Sequence, residues 1–274
     1  MLSPNDLSVI ICTKDRPWFL RMTLLGLAAQ SVRPGEVVVA DAGANSADET
    51  LTRIERDTGL RTVRVARHTP EFQAAATRNA GAAAASGKWL LFLDDDCLPL
   101  ANVVGTHLRK AADPRRWLVG GFVRLDPART REVTPERIAA GDLARLILPK
   151  ELADLHRRHR KGRFYDLIRH PKRPSIRTGQ FSISAAAFRA VNGCDEGFVG
   201  WGGEDDDIRD RLIRWGARGT SLLGSAVCLH LWHEPHATKP ARWREGDNVQ
   251  YLLSTGRPIR CAVGLAEFEA RRRE

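Results

Sequence analysis

Short apolar runs alternate with helical stretches along most of the chain, and each run stops at a polar or acidic turn. Leu7 to Cys12 is the first run. It ends at Thr13-Lys14-Asp15-Arg16-Pro17, after which about Trp18 to Gln30 reads as a helix. Val37 to Ala40 repeats the pattern, ends at Asp41-Ala42-Gly43-Ala44-Asn45-Ser46 and leads into a helix through Thr58. Thr62 to Ala66 reads as a third strand, and the Ala-rich stretch Ala74 to Ser86 as a helix closed by Gly87. Leu90-Leu91-Phe92-Leu93, led by Trp89, has no polar face, so it predicts a strand buried on both sides. Strand and helix alternating at this spacing predict an α/β fold of βαβ units. The expected result is a mostly parallel central sheet flanked by helices, with the loops that follow the strands gathered on one edge.

The Trp89 run stops abruptly at Asp94-Asp95-Asp96. Three adjacent carboxylates repel, and without a cation or strong donors at least one is pushed toward its protonated form. A divalent cation such as Mg²⁺ or Mn²⁺ would offset that cost, taking one or two carboxylates and completing its shell with phosphate oxygens. Ligands of parallel sheets bind beyond the carboxyl ends of the strands, where these acids and Asp41 fall. The competing reading is a solvated acidic turn capping a helix that begins near Pro99.

Two later stretches add chemistry. Ser182-Ile183-Ser184 reads as a strand followed by a helix through Val191, and then Gly193 to Asp207 mixes five glycines with six acids and with Phe198 and Trp201. Glycines let the backbone approach a ligand closely, and Trp201 offers a flat apolar face suited to a sugar ring. The acids supply hydroxyl acceptors and a candidate general base. Read more plainly, Glu204 to Asp207 is the favourably charged first turn of a helix running through Trp215. Farther on, His230, His233 and His236 close another apolar run, which suits metal ligation. In a regular strand His230 and His233 would face opposite ways, so shared ligation requires the strand to have ended between them.

A chain of 274 residues with 43% hydrophobic content can bury a full core and is expected to form one domain over residues 1–274. No run approaches the length of a membrane span and Met1 to Asp6 does not resemble a secretory signal, so a cytoplasmic location is expected. The five cysteines are scattered without a CxxC pair, which indicates packed thiols rather than a zinc site or a disulfide framework. Most of the net charge of +10 falls between Ala128 and Arg177, a Pro-punctuated helical insertion containing Arg157-Arg158-His159-Arg160-Lys161-Gly162-Arg163. Such a segment suits an anionic acceptor, a peripheral contact with an anionic membrane, or nucleic acid; no recognised nucleic-acid motif accompanies it. A solvated charged face is the plainer reading.

Taken in order, Ser8 to Thr13, Val38 to Gly43, Ala76-Thr77-Arg78-Asn79-Ala80-Gly81, Phe92 to Asp96 and Gly193 to Asp207 resemble family-2 glycosyltransferases of the GT-A (Rossmann-like) fold. The C-terminal half resembles the galactosyltransferase and chondroitin-polymerase type. The resemblance covers most of the chain, with Ala128 to Arg177 the poorly matched part. It implies a nucleotide-sugar-binding half (1–127), the basic insertion (128–177) and an acceptor and catalytic half (178–274).

By position the resemblance implies that Asp41 accepts from the nucleotide base and that Arg78 holds the diphosphate or the acidic loop. Asp94 would contact ribose or donor sugar, supported by Asp95, with Thr13 and Arg16 also on the donor side. Asp96 of this Asp-x-Asp (DXD) arrangement would ligate Mn²⁺ or Mg²⁺ together with His233 and His230. Asp205 would be the catalytic base, with Trp201, Gly202, Gly203, Glu204 and Asp206 on the acceptor. The implied activity is metal-dependent inverting transfer of a hexose or N-acetylhexosamine from a UDP-sugar to a hydroxyl. A nucleotidyltransferase built on the same acids, or a non-enzymatic anion- or membrane-binding module, remains as an alternative.

Overall fold

The apolar runs of the N-terminal half become strands with almost no exposed residue. The computed structural model describes residues 2–45, 47–67, 73–170, 173–235, 246–254 and 256–271. In chain order it forms β1 (Leu7–Thr13), α1 (Pro17–Ala28), β2 (Glu36–Asp41), α2 (Asp48–Thr58), β3 (Thr62–Ala66), α3 (Ala74–Ala84), β4 (Trp89–Asp94) and β5 (Cys97–Pro99). α4 (Val103–Lys110), β6 (Arg116–Val119) and β7 (Gly121–Arg124) follow, and the basic segment then folds as α5 (Pro127–Arg131), α6 (Pro135–Ala139) and α7 (Pro149–Leu167). The rest comprises β8 (Gln180–Ser184), α8 (Ala185–Ala190), α9 (Glu204–Arg214), β9 (Arg218–Ser221), β10 (Val227–His230), α10 (Asp247–Leu253) and α11 (Leu265–Arg271).

Seven strands make the central sheet in the order β3-β2-β1-β4-β8-β6-β9. β8 runs antiparallel to both of its neighbours, and the other pairs are parallel. β1 and β2, rich in Val and Ile, are buried along their whole length, as expected of strands covered on both faces. α3 lies so close to the sheet that a β-carbon on Gly81 would stand 2.6 Å from Ile10 Cγ2. A side chain there would lift the helix off β1, which accounts for glycine in an otherwise Ala-rich helix.

A second sheet, β5-β10-β7, corrects the expected helix near Pro99. Cys97 to Pro99 form a strand antiparallel to β10, and α4 begins only at Val103. Pro99 ends this edge strand, where its missing N–H costs no ladder bond. The acidic turn therefore leads into a strand, and that strand draws His230 at the end of β10 toward the acids, pairing it with Cys97. Residues of the basic segment pack against this sheet through Val133, Ile138, Leu143, Leu146 and Leu155. All five cysteines are buried and free, as the sequence indicated.

Candidate active site

β1 and β4 run side by side with Cys12 opposite Asp94, so the turn after β1 delivers Thr13 and Arg16 to the acids. Asp95 is turned inward: its carboxylate accepts from Thr13 Oγ1 at 2.8 Å and pairs with Arg16 Nη1 at 2.8 Å. Burial pushes its carboxyl up to about 7, with Arg16 opposing and Asp96 adding to the rise. Asp94 faces the cleft and pairs with Arg78 Nη2 at 3.3 Å. The same buried guanidinium reaches Glu204 at 3.2 Å, so one cation ties the end of β4 to the start of α9.

Asp96 meets His233 Nε2 at 3.0 Å, His230 Nε2 at 3.8 Å and Arg16 Nη1 at 3.0 Å. β10 ends at His230, so the chain has left strand geometry before His233 and both rings turn toward one carboxylate. Burial alone would raise the Asp96 carboxyl, but the His233 hydrogen bond, with His230 and Arg16, holds it well below the usual carboxylate range. The hydrogen bond to Asp96 in turn raises His233. The ligand atoms of Asp96, His230 and His233 lie within 4.8 Å of one another. One carboxylate and two imidazoles converging on a point fit a divalent cation. His236 lies outside the described residues.

Opposite chemistry appears at the head of α9. Gly202 and Gly203 adopt φ of +88° and +94°, in the left-handed region that side chains avoid. A β-carbon on Gly203 would also stand 2.8 Å from the Phe198 ring. Asn248 of α10 fixes this turn by donating to the carbonyls of Gly202 at 2.8 Å and Trp201 at 3.3 Å. The turn leaves Trp201 at 40% exposure over the cleft. Asp205 Oδ2 accepts from Thr178 N at 3.3 Å, while Oδ1 is buried with no hydrogen-bond partner among the described residues. Burial pushes the Asp205 carboxyl up to about 7, helped by Glu204 and Asp94 and opposed by Arg78 and Thr178. Asp206 pairs with Arg209 and Asp207 with Arg211 and Arg257.

One cleft of about 580 Å³ gathers Arg16, Arg78, Asp94 to Asp96, His230, His233 and Trp201 to Asp206. Thr13 acts at one remove, through Asp95. Asp41 stands apart: it ends β2 on the same edge of the sheet, but its carboxylate is taken by Gly43 N, Ala47 N and Arg64, and it does not line the cleft. Sequence reasoning passed over several lining residues, among them Arg124, Arg177, Thr178 and Trp232. Arg124 had one signal, since it ends an apolar run as Asp41 and Asp94 do, and it pairs in register with His230.

The family described as glycosyl transferase family 2 matches residues 8–189, and the one described as N-terminal domain of galactosyltransferase matches residues 158–234. Both matches run into the basic segment. Validoxylamine A glucosyltransferase from Streptomyces hygroscopicus subsp. limoneus is 32% identical over 228 residues, 75% of this chain and 47% of that protein. Chondroitin synthase from Escherichia coli is 28% identical over 241 residues, 82% of this chain and 34% of that protein. The chain thus spans about half the length of the curated relatives it matches, or less. A mannosyltransferase from Pyrobaculum calidifontis, solved with GDP-Man and Mn²⁺, superposes with a TM-score of 0.56 at 16% identity, covering 85% of this chain and 60% of that one. At that identity the likeness concerns the fold, which is GT-A. The first family match covers more than half of the residues, and the chain belongs to glycosyl transferase family 2.

Proposed function

We propose that the chain transfers a hexose or N-acetylhexosamine from a nucleoside diphosphate sugar, UDP-linked, to an acceptor hydroxyl with inversion, and that it depends on a divalent cation. The observation that carries this reading is the cleft itself. It holds the Asp96, His230 and His233 donor set together with a buried carboxylate oxygen, Asp205 Oδ1, that has no partner.

Direct displacement needs charge neutralised on the departing diphosphate and a base for the attacking hydroxyl. Asp96, His233 and His230 would hold the cation, which when bound supplies positive charge at the leaving phosphates. Two imidazoles among three donors favour Mn²⁺ over Mg²⁺, whose shell is built from oxygen. Arg16 and Arg78 add fixed positive charge at the same end of the cleft. Asp205 Oδ1 accepts the hydroxyl proton, and a carboxyl near pH 7 is well matched to that task. Trp201 supplies a face for the acceptor ring, and Glu204 and Asp206 supply hydrogen-bond acceptors for its hydroxyls. A nucleotidyltransferase would use the acids of β4 and leave Asp205 and Trp201 without a task.

The test is acceptor-free hydrolysis of UDP- and GDP-linked sugars. One UDP-sugar should be cleaved slowly with Mn²⁺, less well with Mg²⁺, and not at all after chelation. Turnover of a nucleoside triphosphate with a sugar phosphate, and of no sugar nucleotide, would overturn the reading.

A further inference from the structure

The outer face of α7 takes no part in that chemistry. α7 packs through Leu155 and Gly162, both buried, and His159 lies against Gly224 and Ser221. At 3.6 residues per turn, Arg157, Arg160, Lys161, Phe164, Leu167 and Ile168 fall on the side away from those contacts. Phe164 is 56% exposed, Leu167 80% and Ile168, just past the helix, 51%. Three large apolar side chains spaced i, i+3 and i+4 in solvent form a prong rather than scattered surface residues. Five of the seven residues from Arg157 to Arg163 are basic. Asp154 pairs with Arg157 and Arg158, whereas Arg160 and Arg163 make no ion pair among the described residues.

A separate observation points to an anion at the same end of the helix. A cavity of about 220 Å³ is lined by Trp117, Tyr165, Arg169, Arg173 and Arg218. The acid on its wall, Asp166, is taken by Arg116 at 2.7 Å. Trp117 is 1% exposed and its indole N–H has no acceptor among the described residues. Several cations and an orphaned donor around a void of this size suit a phosphate group. The positive charge also continues into the cleft. Burial, then Arg124, Arg158 and Arg173, pull the Arg177 guanidinium below its ordinary value, and Arg177 and Arg124 line the cleft.

We propose that the outer face of α7 docks the protein on an anionic lipid bilayer. Phe164, Leu167 and Ile168 enter the headgroup boundary, and the basic ridge meets the surface charge. Basic charge alone would serve RNA equally well; the exposed apolar prong at the end of the ridge is what favours a bilayer.

Co-sedimentation of the full chain with phosphatidylcholine vesicles, with and without phosphatidylglycerol, tests this at low and high salt. The chain should pellet with the anionic vesicles only, and less at high salt. Replacing Leu167 and Ile168 together by Ser should weaken binding about tenfold or more. Arg160→Ala and Lys161→Ala should each weaken it about fivefold. All four side chains project into solvent, so circular dichroism and acceptor-free hydrolysis should match the parent. The proposal is overturned if the parent stays in the supernatant with anionic vesicles at low salt, or if the Leu167 and Ile168 variant pellets unchanged. Single-stranded RNA that binds both proteins equally and strips the parent from vesicles would assign the ridge to nucleic acid instead. No donor or acceptor is present, so failure here leaves the transferase reading standing, and failure of that reading leaves this result intact.

Discussion

Asp94-Asp95-Asp96 closes a strand and Glu204-Asp205-Asp206-Asp207 opens a helix, and the protein balances their charge differently. In the first run every carboxylate has a cationic neighbour: Arg78 for Asp94, Arg16 for Asp95, and Arg16 with His233 for Asp96. In the second, Arg78 serves Glu204, Arg209 serves Asp206, and Arg211 and Arg257 serve Asp207, but Asp205 Oδ1 has nothing. One of the partners in the first run, His233, is a histidine, whose proton a metal can displace. The second run keeps one acid short of a partner among the described residues, as the proposed general base requires. Backbone geometry separates the roles: successive helix residues turn through about 100°, so four adjacent acids of α9 reach four different neighbourhoods.

Removing the unpartnered acid should give the largest effect. Asp205→Asn should lower transfer about 10²- to 10⁴-fold, as expected for loss of a general base, with nucleotide and Mn²⁺ affinity unchanged. Retained turnover would show that the two acid runs do not differ in the way described. Asp207, two residues away, gives the opposite result. Its buried pairing with Arg211 means that Asp207→Ala should cost about 3–5 kcal/mol of stability, read as a fall in the denaturant midpoint. An Asp207 variant as stable as the parent would refute the structural role.

Much of this contrast was legible in the sequence because it depends on local pattern. The apolar runs mark the strands, Thr62 to Ala66 matches β3 residue for residue, and the abrupt acids mark the edge of the sheet where ligands bind. What escaped depends on pairing between distant segments. Cys97-Leu98-Pro99 is too short to show alternation, and only its pairing with β10 makes it a strand. Asp41 looked available until β3 placed Arg64 beside it. Thr178 acts through a backbone N–H, which no side-chain identity announces.

The metal side can be tested one ligand at a time. His233→Ala should weaken Mn²⁺ binding beyond the roughly 10- to 100-fold that loss of an outer-sphere partner costs. His230 lies farther from Asp96, at 3.8 Å against 3.0 Å, and His230→Ala should cost less. Calorimetric titration of Mn²⁺ without nucleotide measures both. A larger effect at His230 would reverse their ranking.

The last expected effect concerns stability and follows from the burial of the same carboxylate. Asp205 sits at about 7 in the folded chain against an ordinary 3.8, so between these values the folded state holds a proton that the unfolded state has released. The contribution of Asp205 to stability therefore declines as pH rises from about 4 toward 7. The cost is fully present above 7, where the carboxylate is ionised and buried without a donor on Oδ1. Asp205→Asn removes that charge without changing shape. It should melt above the parent at pH 8, and the gap should close toward pH 4. A gap independent of pH would mean that Asp205 is already balanced, and the contrast between the two acid runs would then be one of position alone.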